Sequence, residues 1–509
     1  MKWLTLLWRS RSNKMVVNSF SFLLFFVVVF GGYYTPVIRN NPRYQNAWLF
    51  IASYFFYGFA DWKMIHLLLG ATVTFYGLGA WLKSEMEKGH TKKASNITTF
   101  GVLVGVGILL YFKYLNFFAE SLALFLNSIG LNVSWTTLNI VLPIGVSFFT
   151  FKLISYIIEV HREHIQPSKD FIEFATYVAF FPTIFSGPID RPNTFITQIR
   201  QNRLFNYELA VDGCRQILWG MFTKMCIADN LAPITESVWT NYNHISSSTL
   251  LFVTLLYPIQ MYADFDGYSN MAIGISKILG LNIARNFNHP FISRNIAEYW
   301  RNWHISLTGW LTDYVFSPLN IAFRNWGNWG IILAILINFL LIGLWHGANW
   351  TFAIFGIYHG LLYVPLILSG SFGKRKKLKP GKYGLPKSVD LLKMCLTFLG
   401  VTFGLIFFKA SSIENAISYI NKIISLAIFD VTTAYYDLLA LGLHLYVLVF
   451  VLLLMITEWT CRKKQHNLEI ENDSVLSRNK YFRWILYILL IVVTFLCKGV
   501  EAQFIYFQF

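Results

Sequence analysis

The apolar run from Ile331 to Leu344 leads directly into Trp345-His346-Gly347-Ala348-Asn349-Trp350. An ionisable side chain at the end of such a run is costly at membrane depth and normally faces a polar cavity, which makes His346 a functional candidate. An imidazole of ordinary pKa, ~6.5, is neutral enough near pH 7 to take a proton from an attacking hydroxyl. Gly347 and Ala348 allow close backbone approach by a substrate, and Asn349 stands where it can orient the imidazole or an acyl carbonyl. The competing reading is a histidine hydrogen-bonded across a helix interface for structure alone.

A second chemical stretch precedes the first. Residues 282–329 contain Asn282-Ile-Ala-Arg285-Asn286-Phe-Asn288-His289, then Glu298-Tyr299-Trp300-Arg301-Asn302-Trp303-His304-Ile305-Ser306, then Gly309-Trp310-Leu311-Thr312-Asp313-Tyr314. Alternating Trp, Arg, Asn and His suits an amphipathic segment at a head-group boundary or a polar funnel. The same mixture can stack on single-stranded nucleic acid, a reading that the flanking apolar runs oppose. Beside the two histidines, Arg301, Asn302, Trp303, Asp313, Trp345 and Asn349 are the candidate substrate-binding residues.

Other constellations carry less. Asp264 and Asp266 lie in an apolar segment; they suit structural carboxylates answering Arg285, Arg294 or Arg301, or else the proton or cation site of a transporter. His161-Arg-Glu163-His164 lacks the i, i+4 histidine spacing of a zinc protease and reads as a solvated helix end, so no metal site is expected. His359, in Tyr358-His359-Gly360, reads as helical packing. There is no Gly-x-Ser-x-Gly nucleophile elbow, P-loop or dinucleotide fingerprint. Cys214, Cys226, Cys395, Cys461 and Cys497 are scattered without metal or disulfide spacing.

The elements that must position these residues are membrane helices. The 509-residue chain is 55% hydrophobic and only 13% charged, about half the charge of a soluble domain, and its mean hydropathy is +0.48. Windows of about 20 apolar residues recur from Phe20 to Phe504, giving about 11 to 13 candidate spans, some short enough to be re-entrant or interfacial. The net charge of +16 sits in short loops, most clearly at Lys374, Arg375, Lys376, Lys377, Lys379 and Lys382, where lipid head groups account for it. Loop charges at Arg39, Arg43, Lys83, Lys88, Lys92 and Lys93 place those loops in the cytoplasm. Arg9, Arg11 and Lys14 favour an inside N-terminus, which conflicts unless Met15 is the start and 1–14 a basic extension.

In order and spacing, these strings resemble the bacterial branch of the membrane-bound O-acyltransferase (MBOAT) family, nearest the alginate O-acetyltransferase membrane subunit and its peptidoglycan and cellulose counterparts. The resemblance runs from Met15 and rests most on Trp300-Arg-Asn-Trp-His304-Ile-Ser-Leu and Leu344-Trp-His346-Gly-Ala. Ala52-Ser-Tyr-Phe-Phe-Tyr57, Phe112-Lys-Tyr-Leu-Asn-Phe-Phe118, Leu142-Pro-Ile-Gly-Val-Ser-Phe148 and the terminal Phe504-Ile-Tyr-Phe-Gln-Phe509 add to it.

The resemblance implies an all-α polytopic membrane protein, a ring of tilted transmembrane helices around a funnel. Residues 15–509 would form one such domain, with a catalytic core at about 140–370. It implies His346 as the catalytic histidine and His304 as a supporting one. It further implies acetyl-CoA as a cytosolic donor with no bound cofactor, and a cell-envelope polysaccharide as acceptor. The acceptor would be reached directly or through a periplasmic partner acetyltransferase, from the bacterial cytoplasmic membrane. Departures from the family pattern at Lys152, Asp266, Asn270 and Lys409 spare both histidine strings and bear on the acceptor. The alternatives are D-alanyl transfer to teichoic acid from a carrier protein, which the long stretch after His346 disfavours, and a secondary transporter or polysaccharide exporter working through Asp264 and Asp266. The absence of a visible repeat counts against the latter.

Overall fold

A computed structural model describes residues 15–133, 140–374, 378–379, 381–425, 430–470 and 478–504. The extension 1–14, residues 375–377 of the basic run and the terminal string beyond Phe504 lie outside the described residues. Among the described residues the secondary structure is helical, with no strand. Among these described residues, five helical stretches are long and apolar enough to cross a membrane: Pro42–Glu87, Thr91–Ser128, Arg324–His346, Trp350–Leu368 and Ser388–Lys409. A sharply bent pair, Val431–Ala440 with Leu445–Thr460, raises the number to as many as six.

Some apolar windows take shorter forms, and others are merged. The window at 171–186 becomes the nine-residue helix Phe171–Ala179 followed by turns. Its residues are buried almost throughout, so that apolar stretch serves a protein interior. The windows at 47–60 and 64–82 lie in one continuous stretch, joined by a single turn at Trp62–Met64. Hydropathy finds apolar length; it does not distinguish burial in lipid from burial in protein.

The fold divides into two compact units. The first comprises the residues up to Cys214 together with Met271–Ala284. Here α1 (Ile65–Glu87) and α2 (Thr91–Leu109) pack against α3 (Val146–His161). Glycines allow the approach: Gly79 lies under the Tyr156 ring, and Gly101 and Gly105 lie against Ile157 and Ile154. Nearly all of α3 is buried, including Lys152, whose ammonium donates to Thr183 Oγ1 at 2.9 Å and the Tyr177 carbonyl at 3.2 Å. The first described helix, Phe20–Tyr33, instead turns Phe20, Leu24 and Val28 outward, with Phe20 72% exposed. Such outward apolar side chains suit lipid as the surrounding medium.

The second unit comprises Arg215–Asn270 and Arg285–Phe509. It contains the first part of α4 (Ser247–Ile278), the short helices α5 (Ile296–Asn302) and α6 (Ile305–Leu311), and the hairpin of α7 (Gly327–His346) and α8 (Trp350–Leu361). It also holds α9 (Ser388–Lys409) and α10 (Leu445–Thr460). Asn349 starts α8 by accepting from the Thr351 amide at 3.0 Å, satisfying one of the donors that a helix start leaves open.

The hairpin is close because small residues line its seam. A Cβ on Gly343 would press on the Phe352 carbonyl oxygen, and one on Gly356 on that of Phe339. Gly360 faces Leu336 in the same seam. Gly356→Ala is therefore expected to destabilise the unit by about 1–3 kcal/mol, the usual cost of overpacking. Gly77→Ala, where a Cβ meets open space, serves as the control. Thermal unfolding in detergent, followed by tryptophan fluorescence, compares them, and equal midpoints would refute glycine-mediated closure of the hairpin.

Candidate active site

His346 is the last residue of α7, and His304 sits in the break between α5 and α6. The fold brings them together, with ring centroids 6.4 Å apart. Both are deeply buried, at 4% and 0% exposure. The Trp345 ring touches both, 5.5 Å from His304 and 5.0 Å from His346. Phe265 of α4 lies edge-on to His304 at 4.7 Å. Phe408 of α9 and Phe355 of α8 lie against His346 at 5.0 and 6.2 Å. The two imidazoles thus share a compartment walled by aromatic rings.

The backbone at His304 is unusual. Its φ of 44° is left-handed, a region that non-glycine residues seldom enter without compensation. The compensation comes from Asn286. Its carbonyl accepts from the Ile305 amide at 2.8 Å, and its side-chain oxygen accepts from Ser306 Oγ at 2.6 Å. Asn286 Nδ2 in turn donates to Ser269 Oγ of α4 at 2.9 Å. One bridge away, the Asn288 amide donates to the Asn302 carbonyl at 3.0 Å. His304 is thereby fixed from outside its own helices. Burial holds its imidazole well below the ordinary histidine range, down to about 3, so it is neutral near pH 7.

The remaining sequence candidates divide by surroundings. Arg301 and Asp313 line a cavity of about 380 Å³ together with Thr308, Thr312, Asn338 and Tyr363. Trp303 is buried in an aromatic stack, parallel to Tyr299 at 5.4 Å and edge-on to Phe287 at 5.0 Å. Asn302 donates to Ser293 Oγ at 3.3 Å and accepts from Asn288 Nδ2 at 3.3 Å. Asn349, besides capping α8, donates to the Ser411 carbonyl at 2.9 Å. In this structure the side-chain amides of Asn302 and Asn349 are engaged in holding turns.

The two aspartates find partners other than the expected arginines. Asp264 pairs with Lys224 at 2.6 Å, and Asp266 accepts from Asn270 Nδ2 at 2.7 Å. Arg294 pairs with Glu298 at 2.7 Å and with Asp390 at 3.7 Å. One helical turn separates Asp266 from Asn270 and Arg294 from Glu298, so local geometry supplies those partners first. His359 is a packing residue, as expected: its Nδ1 accepts from the Trp300 indole at 3.2 Å. His164 bonds to Glu159 at 2.9 Å in the first unit. Sequence reasoning missed the ring wall of Phe265, Phe355 and Phe408, and it quoted Asn286 without giving it a role. Its position two residues before Asn288, among several side-chain amides, was the available signal.

Comparison with known proteins meets this geometry. The sequence model of the MBOAT, membrane-bound O-acyltransferase family matches residues 54–365. The probable alginate O-acetylase AlgI of Pseudomonas aeruginosa is 36% identical over 406 residues, covering 79% of this chain and 73% of that protein. The peptidoglycan O-acetyltransferase of Helicobacter pylori is 29% identical over 447 residues, 81% of this chain and 80% of the relative. The teichoic acid D-alanyltransferase of Bacillus subtilis is 30% identical over 290 residues, 54% of this chain and 71% of the relative. The matched region contains both histidine strings and the hairpin that carries one of them. The chain is a multi-pass membrane protein that belongs to the membrane-bound O-acyltransferase family, and it is an O-acyltransferase.

Proposed function

We propose that the protein transfers an acetyl group from cytosolic acetyl-CoA to a hydroxyl of a cell-envelope polysaccharide, directly or through an extracytoplasmic acetyltransferase partner, in the bacterial cytoplasmic membrane. The observation that carries this reading is the buried pair His304 and His346, 6.4 Å apart within one ring-walled compartment. Relatives named for acetylation of alginate and of peptidoglycan support the acetyl group and the envelope acceptor.

In this mechanism His346 is the general base. It takes the proton from the acceptor hydroxyl as the oxygen attacks the thioester carbonyl carbon. A C–O bond forms, the C–S bond breaks, and the proton passes from the imidazolium to the departing thiolate, so that free CoA leaves as the thiol. His304, neutral and held in a fixed orientation, donates an N–H to the carbonyl oxygen as negative charge develops there. A dipole fixed in advance stabilises the transition state without reorganising. The surrounding rings exclude water, which strengthens both interactions. The cavity with Arg301, Thr308 and Asp313 supports entry of the polar donor, and Arg301 is the cation suited to its phosphates.

His346→Ala is expected to lower transfer of radiolabelled acetyl from acetyl-CoA in purified membranes by about 10²-fold or more, with the amount of folded, inserted protein unchanged. Full transfer by that variant would remove His346 from the chemistry. His304→Asn keeps a residue tolerant of the left-handed backbone but shortens the donor. It should lower kcat by about 10²-fold with little change in KM for acetyl-CoA, and an unchanged kcat would show His304 to be a packing residue. Arg301→Ala should raise KM for acetyl-CoA by roughly tenfold, the loss of about one charged hydrogen bond. An unchanged KM would place the donor elsewhere.

A further inference from the structure

A second cavity in the same unit, of about 230 Å³, has no part in the donor reading above. Its wall comes from α4, from residues 224–236, from Lys409 at the end of α9, and from residues 500–503. Three of its wall residues are chain neighbours of rings that border the histidines directly or through Phe265. Asp264 on its wall precedes Phe265, whose ring meets His304, and Lys409 follows Phe408, whose ring meets His346. Gln503 precedes Phe504, whose ring lies 6.0 Å from that of Phe265.

Two polar atoms on this wall have no hydrogen-bond partner among the described residues. They are the Tyr257 hydroxyl and the Gln260 side-chain carbonyl oxygen, both on α4, in residues 2% and 8% exposed. A buried hydroxyl or amide left unpaired is destabilising, and native proteins leave few such groups without a reason. A phenol that can donate and an amide oxygen that accepts, one turn apart on a helix, match the acceptor and donor halves of an incoming hydroxyl.

The charges restrict what that hydroxyl can be attached to. Four carboxylates (Asp229, Glu236, Asp264 and Glu501) share the wall with two lysines. Lys224 is engaged by Asp229 and Asp264, each at 2.6 Å, and Lys409 by Glu236 at 2.6 Å. The wall therefore carries an excess of negative charge, and neither lysine is left over for an anion. An anion entering such a partly enclosed site is repelled by charge of its own sign.

We infer that this cavity receives the acyl-accepting group, that the group is an uncharged alcohol such as a neutral sugar hydroxyl, and that Tyr257 and Gln260 recognise it while the surplus carboxylates turn away acceptors bearing a carboxylate or phosphate. The inference rests on the acyltransfer chemistry proposed for His346. The reaction is the one already balanced above, with the attacking oxygen supplied from this side.

The test uses full-length protein in lipid nanodiscs with acetyl-CoA, following CoA release and acetyl ester formation. Two probe alcohols of similar size are compared: glycerol, which is neutral, and glycerate, which is anionic. Glycerol should stimulate CoA release and become acetylated, with glycerate at least tenfold poorer in kcat/KM. Tyr257→Phe and Gln260→Leu should each raise KM for glycerol by about tenfold, the loss of roughly 1.4 kcal/mol of binding. His346→Ala separates the two levels of the argument. If CoA release in wild type depends on His346 while glycerol fails to stimulate, or glycerate serves equally well, the cavity assignment is overturned and the catalytic reading stands. Unchanged KM for glycerol in both wall variants overturns it as well. CoA release that does not depend on His346 removes the reading and this inference together. The wild-type preference between the probes decides the matter even where a variant folds poorly.

Discussion

The seam between α7 and α8 is the constraint from which the site follows. Two helices meet there with glycine against carbonyl oxygen, at a distance that no side chain could occupy. Closeness at the seam fixes where α7 must end and α8 begin, and His346 is the residue at that end. In lipid, no difference in hydrophobicity between helix surface and surroundings pulls helices together, so approach depends on van der Waals packing and hydrogen bonds. Small residues make that packing dense. A histidine mounted on the turn of such a hairpin inherits its rigidity.

The second histidine is held by different means. Short helices of seven residues have little stability of their own, and the break between α5 and α6 leaves His304 in a sparsely populated backbone region. Asn286, reaching both the Ile305 amide and Ser306, and itself tied to Ser269, supplies the structure that α5 and α6 lack. One imidazole is thus positioned by packing and the other by directional hydrogen bonds. The first tolerates no added volume, and the second no lost polar group.

What was legible in the sequence followed from residue type and immediate neighbours. His346 after an apolar run and His304 in a Trp-rich polar stretch could both be singled out, as could the helical membrane character of the chain. Asn349 could be placed beside the histidine, but not its part as the cap of α8, because capping is a matter of a single backbone angle and a two-residue reach. The ring wall was illegible for another reason. Phe265, Phe355 and Phe408 come from three separate helices, and nothing in an apolar helix says which of its phenylalanines faces a histidine rather than lipid. The partners of Asp264 and Asp266 were not legible, because closeness of arginines in sequence does not set which side chain meets a carboxylate in space. Lys224, 40 residues earlier, is the one that the fold delivers. The window at 171–186 shows the same limit: Phe171–Ala179 is as apolar as a lipid-facing helix yet is buried within the first unit.

In the mechanism proposed above, the aromatic wall around the two imidazoles would also govern what the enzyme does not do. A thioester activated beside a general base would be open to any nucleophile, and water is always the most abundant. Trp345, Phe265, Phe355 and Phe408 present ring edges and faces that offer water few hydrogen bonds, so its entry is penalised at every step. Fidelity then becomes a property of side-chain volume. Trimming one of these rings to alanine would open a hydrolytic leak, turning a transferase toward a thioesterase without touching either histidine.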